Sequence, residues 1–191
     1  IHNAELNGGK FCLREMESGE LNVRPIVQKM TKQGGSKSDF KLFIDNIEAE
    51  GVEFCYERLN PRNPEYGMDY YHMHIYDIAT DIENFSVIKG RVEGSISNLS
   101  ARERCGLLLD DLSCFVYIDR GLIGFEKLKV ATPHSAISIP SITLDGGGDW
   151  ATYKDYINCV RMAGVVEDTV VSTDDIAYFA PAMREWKTEL V

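Results

Sequence analysis

Residues 67–94, GMDYYHMHIYDIATDIENFSVIKGRVEG, decide how the rest of the chain is read. Between Tyr70 and Ile78, Tyr71, Met73 and Ile75 fall on one parity and Tyr70, His72, His74 and Tyr76 on the other. A period of two is that of a strand, whose side chains point alternately to opposite faces. One face of this strand reads as core. The other carries two imidazoles and two phenols on a single sheet surface.

Working outward, the C-terminal flank predicts a polar connection at residues 81–84 and a further strand over 85–97, with Gly90 and Gly94 marking a bulge or a close approach. Cys114 to Asp119 and Leu122 to Val130 read as two strands paired across Arg120-Gly121. Ile137 and Ile139, or Ile142 and Leu144, add a short strand in the long stretch 131–148, and residues 165–171 another. On the N-terminal flank, residues 10–17 and 20–30 form a hairpin around Ser18-Gly19, and Val52, Phe54 and Tyr56 alternate with polar residues as a strand.

Helices are expected between these strands. Phe40, Phe43, Ile44 and Ile47 recur at helical spacing before Gly51, which fits a C-terminal cap. Ser100 and Glu103 make a capping box ahead of Ala101, Cys105, Leu108, Leu109 and Leu112. Asp149 caps a third helix over 150–163, and Thr173-Asp-Asp caps a last one broken at Pro181. The fold class implied is α+β: one domain over 1–191, with a largely antiparallel sheet of 6–8 strands and three or four helices packed on it. Residues 1–10 and 185–191 are its periphery.

The composition, 44% hydrophobic and 26% charged over 191 residues, is that of a globular domain. No apolar run reaches the ~20 residues of a spanning helix, so no membrane partner is expected. The formal charge of −10 disfavours nucleic acid as a partner, a patch at Lys29, Lys32 and Lys37 notwithstanding. Cys12, Cys55, Cys105, Cys114 and Cys159 have no C-x-x-C spacing, and read as buried thiols of a reducing, cytoplasmic compartment.

Three places invite chemistry. His72 and His74, two apart on one strand face, are spaced to share a divalent transition metal, with Glu83 or His134 to complete the ligand set. The ordinary reading of the same face is cross-strand stacking and hydrogen bonding. Asp145-Gly-Gly-Gly-Asp149 precedes a helix, but its carboxylates repel a phosphate and it lacks Gly-Lys-Ser/Thr. Met183, Trp186 and Leu190 share a helical spacing, which packs on the domain or anchors a partner. No complete catalytic constellation is present. The sequence is therefore read as an acidic, intracellular interaction or regulatory domain, contacting another protein or itself through Tyr70, Tyr76 and Trp186. The alternative is a small metal-dependent enzyme centred on His72 and His74.

Overall fold

The computed structural model describes residues 1–25, 41–60, 64–186 and 188–190. The described residues build one mixed sheet of eleven strands. The strands are β1 (Asn3–Asn7), β2 (Lys10–Arg14), β3 (Lys41–Glu57), β4 (His72–Ile88), β5 (Arg91–Glu103), β6 (Leu108–Leu109), β7 (Asp111–Asp119), β8 (Leu122–Ala131), β9 (Ala136–Asp145), β10 (Arg161–Ser172) and β11 (Glu189–Leu190). The main path runs β1-β3-β4-β5-β7-β8-β9-β10-β11, with β2 on β3 and β6 on β5. β1 and β2 run parallel to successive halves of β3, and the other pairings are antiparallel. The hairpin across Arg120-Gly121 forms as expected.

Three of the expected helices are not there. Residues 41–50 belong to β3, which continues through the expected 52–56 strand. Residues 100–112 form the end of β5, a turn, β6 and the start of β7. Residues 150–159 make only a 3-10 turn and one α-helical turn before β10 begins at Arg161. The α+β class with three or four helices is thus replaced by a mostly β chain. The last helix does form, as α1 (Thr173–Phe179), but its N-cap is Ser172 rather than Thr173-Asp-Asp: the Ser172 side chain accepts from the Asp174 N–H, and Pro181 opens a 3-10 turn beyond it.

The physical cause lies in bulges. Gly51, Asp77, Asn84, Asn98, Lys127 and Asp168 take positive φ inside the long strands. Asp and Asn tolerate that region best after Gly. Each such residue upsets the period of two, and the register slips beside Gly51, Asp77, Asn84, Asn98, Lys127 and Asp168. Ile44 faces Phe85 and Ile47 faces Ile82, on either side of left-handed Asn84. The resulting i, i+3 spacing looks helical but is two strand pairings. Gly90 sits in the β4–β5 hairpin turn, so the strand expected over 85–97 is in fact the end of one strand and most of the next. Of the second strand expected over 20–30, residues 20–25 show only a bridge between Glu15 and Leu21, while residues 26–40, with Lys29, Lys32 and Lys37, lie outside the described residues.

Among the described residues, Cys55, Cys114 and Ala177 are the apolar side chains that are fully buried. A sheet packed on one side alternates buried with exposed positions. β7 and β9 do not: nearly every position in them is half-buried. The chain exposes 13,084 Å², whereas a compact monomer of its 21.5 kDa exposes about 9,200 Å². Among the described residues, the sheet is a single layer over most of its area.

Candidate functional site

Two regions stand out, a polar cleft at one end of the sheet and an apolar face along it. The cleft, about 440 Å³, is lined by His72, Met73, His74, Arg58, Arg104 and the N-terminal strands, Cys55 included. His72 Nδ1 lies 2.8 Å from Asp69 Oδ2 and its Nε2 lies 3.1 Å from the Arg58 carbonyl oxygen. Both partners are acceptors, so both ring nitrogens donate only in the imidazolium form. His74 Nε2 meets Glu53 at 3.0 Å, and its backbone N–H donates to the buried Glu103 carboxylate at 3.0 Å. His72 and His74 are thus held by carboxylates.

Asp69, 6% exposed, accepts from the Tyr71 and His72 backbone N–H groups and from Arg104 Nη2 besides His72. Burial pushes its carboxyl up, but the His72 and backbone hydrogen bonds outweigh that and hold it below the ordinary value. Glu53 is held down by His74 and Lys10. Lys10 pairs with Glu53, Arg14 with Glu57, Arg58 with Glu15 and Arg104 with Asp69. The charge in the cleft is spent on internal pairs. Cys105, beside Glu103, has its thiol pushed up to about 11 by burial and the neighbouring carboxylate, which removes it as a nucleophile at neutral pH.

The four expected metal ligands are not gathered. Glu83 lies nine residues beyond His74 on the same strand, about 30 Å away at 3.3 Å per residue. His134 lies in the β8–β9 turn, three strands across the sheet. Among the described residues, the group of potential ligands within reach of one another is Cys12, Cys55 and Glu57. Its sulfurs are joined as a disulfide between in-register residues of β2 and β3, which also overturns the expectation of five reduced cysteines. Forty-three residues separate the two cysteines, so nothing local signals the pair. Cys105, Cys114 and Cys159 are free.

Tyr70 is exposed ahead of β4, Tyr76 lies 5.7 Å from the His74 ring, and Trp186 is exposed beyond the 3-10 turn after α1. The tail does not continue as a helix: Trp186 is extended, and β11 follows it to pair with β10. Asp145 and Asp149 each accept from a backbone N–H two residues on, at 2.8 Å, so the glycine loop is a turn braced by its own carboxylates.

The apolar face is built by register. Leu42, Val87, Val92, Ile118, Ile123, Leu144 and Met162 are direct cross-strand partners in sequence across β3, β4, β5, β7, β8, β9 and β10. In-register partners project from the same face. Two residues along, Gly94, Val116, Phe125, Ile142 and Gly164 form a second row on that face. Ile47, Ile82, Ile96 and Cys114 form a third. None of these side chains is charged. The row between the first two, on the opposite face, carries Ser86, Glu93, Tyr117 and Thr143.

In the first row no side chain is fully buried, and Met162 is 63% exposed. The periodicity of any single strand does not reveal these residues as a surface. The signal was present: Val92, Gly94 and Ile96, Cys114, Val116 and Ile118, and Ile142 and Leu144 keep one parity apolar in successive strands.

No family model, curated protein or solved structure matches the chain. No described helix is long and apolar enough to cross a membrane, a statement that does not bear on strands.

Proposed function

We propose that this chain is an interaction domain that acts through protein–protein contacts made by the apolar face of its sheet. The observation that carries the reading is the seven-strand row from Leu42 to Met162, apolar throughout and, among the described residues, covered by no second layer. Isolated exposed apolar residues are ordinary, but a contiguous patch on a soluble protein marks a contact surface. The absence of charge within the rows fits the centre of an interface, where charged residues are depleted.

A regulatory role belongs to the same reading, since occupation of the face would be the regulated event. For compartment, the Cys12–Cys55 bridge favours an oxidising setting over the cytoplasm.

The test is diazirine footprinting of the dilute chain, read by mass spectrometry. Ile118, Ile123 and Leu144 are expected to label as strongly as exposed Val165 within a few-fold. Complete protection of these positions in a particle of monomer mass would mean that the chain covers its own face, and the reading would fall.

A further inference from the structure

We infer that the occupant of the apolar face is a second copy of this chain, seated face to face so that the two single layers close into one intermolecular sandwich. The inference rests on the interaction-domain reading and gives it a partner. Three observations favour a like sheet over other occupants.

The first is size. Seven strands at about 4.8 Å give a face about 29 Å wide, and three rows about 6.7 Å apart add a height of about 20 Å once side-chain breadth is included. Because the second and third rows span five and four of these strands, two such faces in contact remove about 1,000 Å² from water, the lower bound of a specific interface. The second is pattern. The rows offer apolar positions, mostly aliphatic, on a lattice fixed by strand spacing and pleat, with no strong hydrogen-bonding side chain to orient a dissimilar ligand. Another sheet with the same lattice interdigitates with it, as the inner faces of sandwiches do at about 10 Å. An identical copy has that lattice, and a two-fold axis lying in the contact plane, parallel to the faces, makes the contact self-complementary.

The third is charge. The chain carries −10 overall, yet its three rows hold none of it, while Glu93, Glu126, Asp119 and Asp145 stand on the opposite parity. In a face-to-face pair those carboxylates point outward, away from the contact. What remains is long-range repulsion between two acidic bodies, which salt screens. Association of two copies is therefore expected to tighten as salt is raised. Docking on a basic partner would weaken.

The experiment is sedimentation velocity of the full chain across a concentration series at low and high salt, with footprinting at each end of the series. The expected result is a monomer–dimer equilibrium that tightens several-fold with salt, with Ile118, Ile123 and Leu144 protected only in the dimer. Ile118→Asp places a charge mid-face and is expected to weaken dimerisation about a hundredfold. Ser141→Asp, on the opposite parity, should leave it within a factor of two. If Ile118→Asp fails to fold by circular dichroism, Met162→Asp replaces it: this side chain is already open to solvent and tolerates a charge in the monomer.

A monomer at every concentration whose face still labels overturns the second-copy inference and leaves the interaction reading standing. A monomer whose face is protected overturns both. A dimer indifferent to both Ile118→Asp and Met162→Asp also overturns the inference, because it must form through another surface.

Discussion

The two ends of this sheet's chemistry are inverted relative to an ordinary domain. Around α1 the buried groups are mostly polar: Ser135, Ser172, Thr173 and Asp175 are all buried, with Ala177 as the apolar exception, and Asp69 and Glu103 are buried nearby. Along the broad face, the aliphatic side chains stay half-exposed. Asp175 takes hydrogen bonds from Thr132 Oγ1, at 2.5 Å, and from Ser135 Oγ, while Ser135 Oγ accepts from the Ser172 N–H at 3.0 Å. At the far end of the helix, the Met68 N–H donates to the Tyr178 carbonyl at 2.7 Å, and Tyr178 Oη donates to the Gly106 carbonyl at 3.2 Å. Gly67 permits this approach, since a Cβ there would lie 2.6 Å from the Tyr178 carbonyl oxygen. The capped end is closed by directional bonds that each find a partner, and among the described residues no buried side-chain nitrogen or oxygen lacks one. The open face holds the non-directional part of the driving force in reserve.

If that contrast is right, the isolated chain owes its stability disproportionately to the capped end. The largest effect is expected from the disulfide, which ties β2 to β3 beside the cleft. A cross-link closing a 43-residue separation is worth about 4 kcal/mol in the chain-entropy model. Reduction, or Cys12→Ser with Cys55→Ser, should lower the urea midpoint accordingly. An unmoved midpoint would show that the N-terminal strands are not part of the cooperative unit. Asp175→Ala comes next. It strands the buried Ser135 hydroxyl and the half-buried Thr132 hydroxyl and should cost about 2–3 kcal/mol. Ile123→Ala on the open face, measured at concentrations where the chain is monomeric, should cost about 1 kcal/mol, below the 2–5 kcal/mol of a sealed core. Equal costs at the two sites would erase the distinction between them.

The same contrast explains what was legible in the sequence. The strand at His72, the hairpin around Arg120-Gly121 and the helix capped ahead of Asp174 were readable because each rests on local signals: an unbroken period of two, a turn dipeptide, a cap. The false helices fell where left-handed residues interrupt alternation, as at Gly51 and Asn98, and a bulge leaves apolar spacings of three or four in a strand. The histidine pair was rightly placed on one strand, but its partners, Asp69, Glu53 and the Arg58 carbonyl, come from other segments. A ligand set cannot be told from a set of ion pairs without them. The apolar face is a property of register across seven strands, which single-strand periodicity does not contain.

The smallest predicted effect is in pH, and it isolates the cleft from the rest of the capped end. Asp69 is the carboxylate on which the cleft converges, and its folded value lies below the ordinary one because the His72 ring and the Tyr71 and His72 backbone N–H groups outweigh the cost of burial. For a carboxyl depressed in the folded state, the unfolded chain takes up the proton first. The stability Asp69 contributes is therefore complete above the unfolded value, near pH 4, and is lost as pH falls through the lower folded value. Asp69→Asn keeps an acceptor for the backbone donors but removes the charge. It should lower stability at neutral pH and flatten the limb below about pH 4, while the slope carried by Glu53 and Glu15, both also held down by cationic neighbours, persists. Parallel acid limbs in the two proteins would mean that the cleft's ion pairs are formed equally in the unfolded chain, and the capped end would then owe its closure to α1 alone.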